Sequence, residues 1–339
     1  IFFMDSLTQV IAGGLIGEVT LGKQVGNKAV WWGAIIGTIP DLDVFLSPFY
    51  DDVNGLWIHR GFSHSLIFCM MLAPLMGIGL NNIYRKIPIS SIKWSLYALY
   101  ILLGAVGIDY LTTYGASIFW PFSDIRIEIS TIGIVDVFFT LPLLVGLIII
   151  LFYKKHRLQR SKISRKVFLY ALIYLLLTGF HKIYQHHYLI NQLHQQNKPF
   201  TEIRTQPMPL TNFLWMGIAK TNNGFWLGYH SLFDREPVNF RFIPQNDHII
   251  AEYADNSKLN KLLRFTKNYY CVEITNQSIL LHDLRFGKMG IGNDSQFVFT
   301  FRILPVDKDL QIVQKKWEGH IGENEIINYF RRIFAMDQE

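Results

Sequence analysis

The sequence predicts an α-helical polytopic membrane domain of about six membrane-embedded helices, residues 1–190, followed by a small α+β domain with an antiparallel sheet outside the membrane, residues 191–339. Three observations carry that expectation. Half of the 339 residues are apolar and only 17% are charged, which is oilier than an ordinary soluble enzyme. The apolar residues of the first half are gathered into long blocks. From about residue 195 those blocks give way to short alternating runs of the kind that form strands.

Four segments reach the roughly 20-residue length that a bilayer requires: 66–82, 94–114, 132–153, and 167–179 with its flanks. Two earlier segments, 8–21 and 29–46, are shorter, glycine-rich and interrupted by Glu18 and by Pro40-Asp41-Leu42-Asp43. They are expected to be embedded helices packed closely on their neighbours, because glycine lets backbones approach. Glu18 is expected to serve as a structural partner for a neighbouring helix. The stretch KKHRLQRSKISRK, residues 154–166, should lie on the cytoplasmic side, with Arg85, Lys86, Lys93, Lys23 and Lys28 marking loops of the same sidedness. Threading the chain through these anchors puts the N-terminus, the connection 41–64, the loop 115–131 and everything after about residue 190 on the outer side.

The net charge of +6 sits in short loops beside apolar segments, which fits topology control and no nucleic-acid partner. The start IFFMDSLTQV has neither a basic n-region nor a small-residue cleavage site, so no cleaved signal peptide is expected. Downstream, FLWMGIAK, NGFWLGYHSLF, NYYCVEI, ILLHDLRFG and QFVFTFRIL are separated by Asn, Gly, Pro and Asp and read as strands, closed by an amphipathic helix over 323–334. His230 and His282 fall on these runs as ordinary strand histidines.

Polar residues in membrane segments are costly and need a reason. The topology gathers Asp5, Gln9, Asp41, Asp43, His59, His64, Asp109 and Asp136 at one outer depth. Two imidazoles among several carboxylates suit a divalent metal, zinc first and manganese or iron less specifically. His59 and His64, five residues apart, do not share a helical face, so a turn must present them together. Carboxylates that are not ligands, including Asp5 with the amide of Gln9, would orient the shell. Asp136 would act as general base, and Arg60 and Ser63 would bind an oxyanion or phosphate. Bland readings stand beside these: Pro40 and its aspartates as a helix end, Arg60 as a side chain snorkelling to headgroups, and Phe119-Trp120-Pro121-Phe122 as an interfacial belt.

The motifs MDSLTQ, GKQVGNKAVWWGAIIGTIPDLDV, HRGFSHSL, and DYLTTYG followed by FWPFSD resemble the membrane-bound metal-dependent hydrolases of the YdjM and YbcI type, over about residues 4–153. The resemblance implies a multi-pass protein of the bacterial cytoplasmic (inner) membrane. It also implies a helical metal site similar to those of zinc-dependent phospholipase C and nuclease P1, with Asp41, Asp43, His59, His64 and Asp109 as ligands. This chain departs from the family pattern at Ala105 and Gln9, where relatives commonly carry histidine. The reading that follows is a metal-dependent hydrolase acting on an ester or phosphoester of a membrane lipid or lipid-linked substrate. Two rivals stand against it: a non-catalytic membrane protein with a structural metal or polar cluster and a partner-binding outer domain, and an ion-coupled transporter.

Overall fold

A computed structural model describes residues 2–275, 278–288, 296–306, 309–315 and 323–336. The chain divides into two compact units, Ile1–Leu46 with Ile58–Gly179, and Ser47–Trp57 with Phe180–Glu339.

The first unit is helical. Helix α1 (Phe2–Val25) turns back at Gly26, φ +64°, into α2 (Asn27–Thr38). The expected close approach of these glycine-rich segments is present: a Cβ on Gly13 would lie 2.4 Å from Gly33 O, and one on Gly17 would lie 2.3 Å from Ala29 O. Gly13→Val is therefore expected to cost at least the roughly 1–3 kcal/mol of an overpacked contact. Gly79→Ala, whose new methyl meets nothing within 4 Å, should be neutral or slightly stabilising. Thermal unfolding in detergent compares the two variants.

After Thr38 the chain tightens into a 3₁₀ helix, Pro40–Phe49, because Pro40 has no amide hydrogen with which to continue the α-helical ladder. A short α3 (Asp52–Ile58) and a 3₁₀ turn (Phe62–His64) lead into α4 (Leu66–Ile83), whose first turn is capped by Ser65 Oγ accepting from Phe68 N at 3.1 Å. Then come α5 (Ser91–Leu111), α6 (Val137–Phe152) and α7 (Leu158–Gln195). Asn27–Phe49, Leu66–Ile83, Ser91–Leu111 and Leu158–Gln195 are long and apolar enough to cross a bilayer, and Val137–Phe152 is apolar but shorter. Two apolar clusters hold the unit together, one around Trp94, Tyr97, Ile101 and Leu102, the other around Ile11, Leu15, Phe139 and Leu143. Glu18 does partner a neighbouring helix: its carboxylate takes two bonds from the Arg160 guanidinium, which also donates to Asn27 Oδ1 and Tyr153 O, both at 2.6 Å.

Helix α7 is longer than its apolar stretch. Its 38 residues span about 57 Å at 1.5 Å each, and its polar Gln- and His-containing end continues the helix past residue 190 instead of breaking it. From Phe180 onward it belongs to the second unit, where Leu189 and Leu193 pack in a cluster with Ala219, Val238 and Phe240.

Among the described residues the second unit carries two four-stranded antiparallel sheets; the alternating runs predict the antiparallel strands and not their division into two sheets. Strands β1 (Glu202–Pro207), β2 (Leu214–Lys220), β3 (Gly224–Ser231) and β4 (Arg241–Pro244) form one in that order. Then β5 (Tyr270–Thr275), β6 (Ser278–Lys288), β7 (Phe297–Val306) and β8 (Asp309–Lys315) form the other. Between the sheets in sequence lies α8 (Ser257–Phe265), and α9 (Glu323–Ile333) falls where the amphipathic pattern placed it. Met208, Met216, Phe225, Cys271, Leu284 and Ile333 form a shared core. Both strand histidines are buried and hydrogen-bonded, His230 to Gln185 at 2.7 Å and His282 to Thr300 at 2.9 Å. Burial, the largest influence on His230, pushes its pKa down to about 4. The Ser47–Trp57 segment is fastened into this unit: Gln314 N donates to Asp52 Oδ2 at 2.7 Å, and Lys261 Nζ donates to Asn54 Oδ1 at 2.8 Å.

Candidate metal centre

The centre is assembled in the first unit from four stretches that the sequence places far apart. Asp41 and Asp43 sit in the first turn of the 3₁₀ helix that Pro40 starts. His59, Arg60, Ser63 and His64 come from the turn after α3. There Arg60 adopts a left-handed φ of 57°, an unusual conformation for a side chain without local polar compensation. Its amide donates to Asp43 Oδ2 at 2.8 Å and its carbonyl accepts from Ser117 N at 3.0 Å, so the strain is held by bonds on both sides. Asp109 comes from the last turn of α5 and Gln9 from α1.

Three side chains converge. His64 Nε2 lies 3.2 Å from Asp41 Oδ1 and 3.1 Å from Asp109 Oδ2. One donor atom from each of Asp41, His64 and Asp109 falls within 4.8 Å of the others, close enough to hold one metal ion. The His64 side chain is fully buried, that of Asp109 is 1% exposed, and that of Asp41 is 11% exposed.

A second set of groups holds these three in place. Ser63 Oγ donates to Asp43 Oδ2 and lies 2.9 Å from His64 Nδ1, so a proton on Nδ1 points at the hydroxyl and leaves Nε2 facing Asp41 and Asp109. Asp43 Oδ1 lies 2.8 Å from His59 Nδ1. On Asp109, Oδ1 accepts from Gln9 Nε2 at 2.9 Å and pairs with Arg60 Nη2 at 3.0 Å, which turns Oδ2 toward His64. Gln9 Nε2 also donates to Ala105 O at 3.0 Å, so the two positions that depart from the family pattern touch each other.

The sequence-derived ligand set thus separates into two layers. Asp41, His64 and Asp109 form the inner group, whereas both oxygens of Asp43 are committed to His59, Ser63 and Arg60, one bond further out. Arg60 does not snorkel: it is 2% exposed and also donates to Thr112 Oγ1 at 3.0 Å. Asp136 caps α6, accepting from Phe138 N and Phe139 N, and takes a further bond from Tyr174 at 2.8 Å. The Asp5 side chain lies outside the described residues. Pattern reading missed Thr112, Tyr110 and Arg126. Tyr110 donates to His64 O at 2.8 Å and Arg126 to His59 O at 2.6 Å. The run Asp109-Tyr110-Leu111-Thr112 carried a signal for Thr112, which lies three places after an aspartate at a helix end and within reach of the same turn; Tyr110, one place on, carried none.

The charge inventory favours a cation. Asp41, Asp43 and Asp109 against Arg60 leave two surplus negative charges when the imidazoles are neutral. Burial by itself would push His64 down, yet its hydrogen bonds to Asp109, Asp41 and Asp43 hold it up at about 10, so without an ion the imidazole is protonated and offsets one of the two charges, and an ion taken up at Nε2 displaces that proton. Asp41 Oδ2 is buried and has no hydrogen-bond partner among the described residues. One imidazole nitrogen and two carboxylates around an unsatisfied oxygen form a donor set able to hold a metal ion.

Comparison with known proteins gives the family. The family model described as YdjM inner membrane protein matches residues 4–188. The chain is 30% identical over 113 residues to the inner membrane protein YbcI of Escherichia coli (strain K12), a match that covers 31% of this chain and 64% of that protein. This chain therefore spans just under two thirds of that relative's length. No solved structure matches.

Proposed function

The chain belongs to the YdjM inner membrane protein family, and on that footing we propose that it is a metal-dependent hydrolase. In this reading it acts at the outer face of the membrane on an ester or phosphoester of a lipid or lipid-linked substrate, with its sheet-bearing unit on the same side. The observation that carries the reading is the buried convergence of Asp41, His64 and Asp109. An ion held by these residues, zinc being the best match to one nitrogen and two oxygen donors, would supply Lewis acidity and bring the pKa of a bound water toward about 7.

The chain's own residues do the rest. Ser63 and Asp43 fix the His64 tautomer, and Gln9 and Arg60 fix the Asp109 rotamer, so the inner group is held in place before any substrate arrives. Arg60 and Ser63 therefore act in this reading by positioning ligands. Asp41 Oδ2, without another partner among the described residues, is the oxygen left to accept a proton. A lipid substrate is favoured by the apolar surface beside the turn. Phe62, one residue from Ser63 and 43% exposed, packs against Trp120 with ring centroids 4.8 Å apart, and Phe122 in the same aromatic run is 86% exposed.

The test is hydrolysis by the purified protein in mixed micelles of phospholipid and a chromogenic phosphoester. Release should require metal, vanish with a chelator, return with zinc or manganese, and be absent in His64→Ala. A wild-type protein that binds metal tightly and hydrolyses no ester would instead mark the centre as structural.

A further inference from the structure

A second site lies in the same unit, apart from the residues of the metal centre. An open cleft of about 440 Å³ is lined by Gly26 and Asn27 at the α1–α2 turn, by the end of α6 and the residues after it through His156, and by Arg160 on α7. That volume is within the roughly 300–1,000 Å³ of small-molecule sites. A crevice of about 130 Å³ shares Lys155 and Arg160 with it and adds Lys23 and Arg165. The only acidic residue lining either space is Glu18, and its carboxylate is already taken by Arg160. Lys155 donates to Gln24 O at 3.3 Å, while the side chains of Lys154 and His156 have no hydrogen-bond or ion-pair partner among the described residues.

A basic loop between apolar segments needs no explanation beyond topology. A cavity walled by its lysines does. The same cleft is also lined by Leu151, half-buried, and Phe152, 85% exposed. Lysines without a carboxylate partner, together with bare aliphatic and aromatic surface in one cleft, match the headgroup and acyl chain of an anionic phospholipid. Gly26 fits this arrangement: its φ of +64° makes the tight turn, and a Cβ there would sit 3.2 Å from Lys155 Cβ, crowding the wall of the cleft.

We infer that this cleft binds the phosphate of an anionic phospholipid, held by Lys154 and Lys155, with an acyl chain against Leu151 and Phe152. Inorganic phosphate shares the headgroup chemistry and is the competing source. The experiment titrates the detergent-purified, delipidated chain with short-chain phosphatidylglycerol, short-chain phosphatidylcholine and inorganic phosphate, and reads binding by native mass spectrometry. Phosphatidylglycerol should bind saturably, with phosphatidylcholine and free phosphate each at least about tenfold weaker. The double variant Lys154→Gln/Lys155→Gln should weaken phosphatidylglycerol binding about 30-fold, the loss expected from two lysines at a membrane surface. Lys162→Gln/Lys166→Gln removes the same charge from exposed positions of the same basic stretch that line neither space, and should leave binding within about twofold. Equal binding of the two lipids, free phosphate binding as tightly as phosphatidylglycerol, or equal losses in the two double variants would each overturn the assignment.

Discussion

Arg160→Met is expected to destabilise the helical unit by about 3–5 kcal/mol, the cost of leaving one partner of a buried ion pair uncompensated. Arg160 is 2% exposed and Glu18 is 4% exposed. The guanidinium bonds both carboxylate oxygens and satisfies Asn27 Oδ1 and Tyr153 O, so a single substitution strands an anion and two acceptors. Glu18→Met together with Arg160→Met removes both charges and should cost clearly less than Arg160→Met alone, because an apolar pair of similar volume often replaces a buried ion pair at little net loss. Thermal unfolding of wild type, both single variants and the double variant in one detergent gives the coupling directly. A double variant as unstable as the sum of the two single variants would show that the pair itself contributes nothing.

The second large effect is at Asp109, which holds two roles on its two oxygens. Asp109→Ala removes the inner donor Oδ2 and leaves the buried Arg60 guanidinium without the carboxylate that Oδ1 provides, so it should lose metal and also about 3–5 kcal/mol of stability. Asp109→Asn keeps an acceptor for Gln9 and Arg60 while withdrawing the charge that a cation needs. It should fold with a smaller loss and still bind metal at least about 100-fold more weakly than wild type. Ser63→Ala, which acts one bond further out through His64 Nδ1, should weaken metal binding by about 10–100-fold. Competition with a chelating dye ranks the three variants. Wild-type affinity in Asp109→Asn would remove Asp109 from the ligand set.

Much of this arrangement is legible in the sequence because its causes are local. The apolar blocks, the Gly-rich first hairpin, the strand runs and the amphipathic pattern of 323–334 each follow from residue spacing. The meeting of Asp41, His64, Asp109 and Gln9 was legible for a different reason: charge bias in the loops orders the helices, and ordered helices bring their ends together. What spacing does not encode is which oxygen of a carboxylate faces inward. Asp43 and Asp41 are two residues apart in one 3₁₀ helix, and only the directions of their side chains make one an orienting group and the other an inner donor.

Arg160 illustrates a further limit. In a run of basic residues it reads as one more topology anchor, and its pairing with Glu18 depends on packing between α1 and α7. Asp136 is the opposite case. Its position directly before the apolar run of α6 is a helix-cap signal that the sequence already held, and the cap stands beside the general-base role expected of it. The boundary expected at residue 190 falls inside a continuous helix for a simple reason: helical hydrogen bonding does not stop where an apolar stretch ends.

Metal content decides whether Asp41, His64 and Asp109 hold a divalent ion. Wild type and His64→Ala, purified in detergent, loaded with zinc or manganese and freed of loose ions, are analysed by elemental mass spectrometry beside a thermal-unfolding control. About one tightly held ion per chain is expected in wild type and essentially none in a folded His64→Ala protein. Negligible metal in wild type, or equal metal in both proteins, would contradict it.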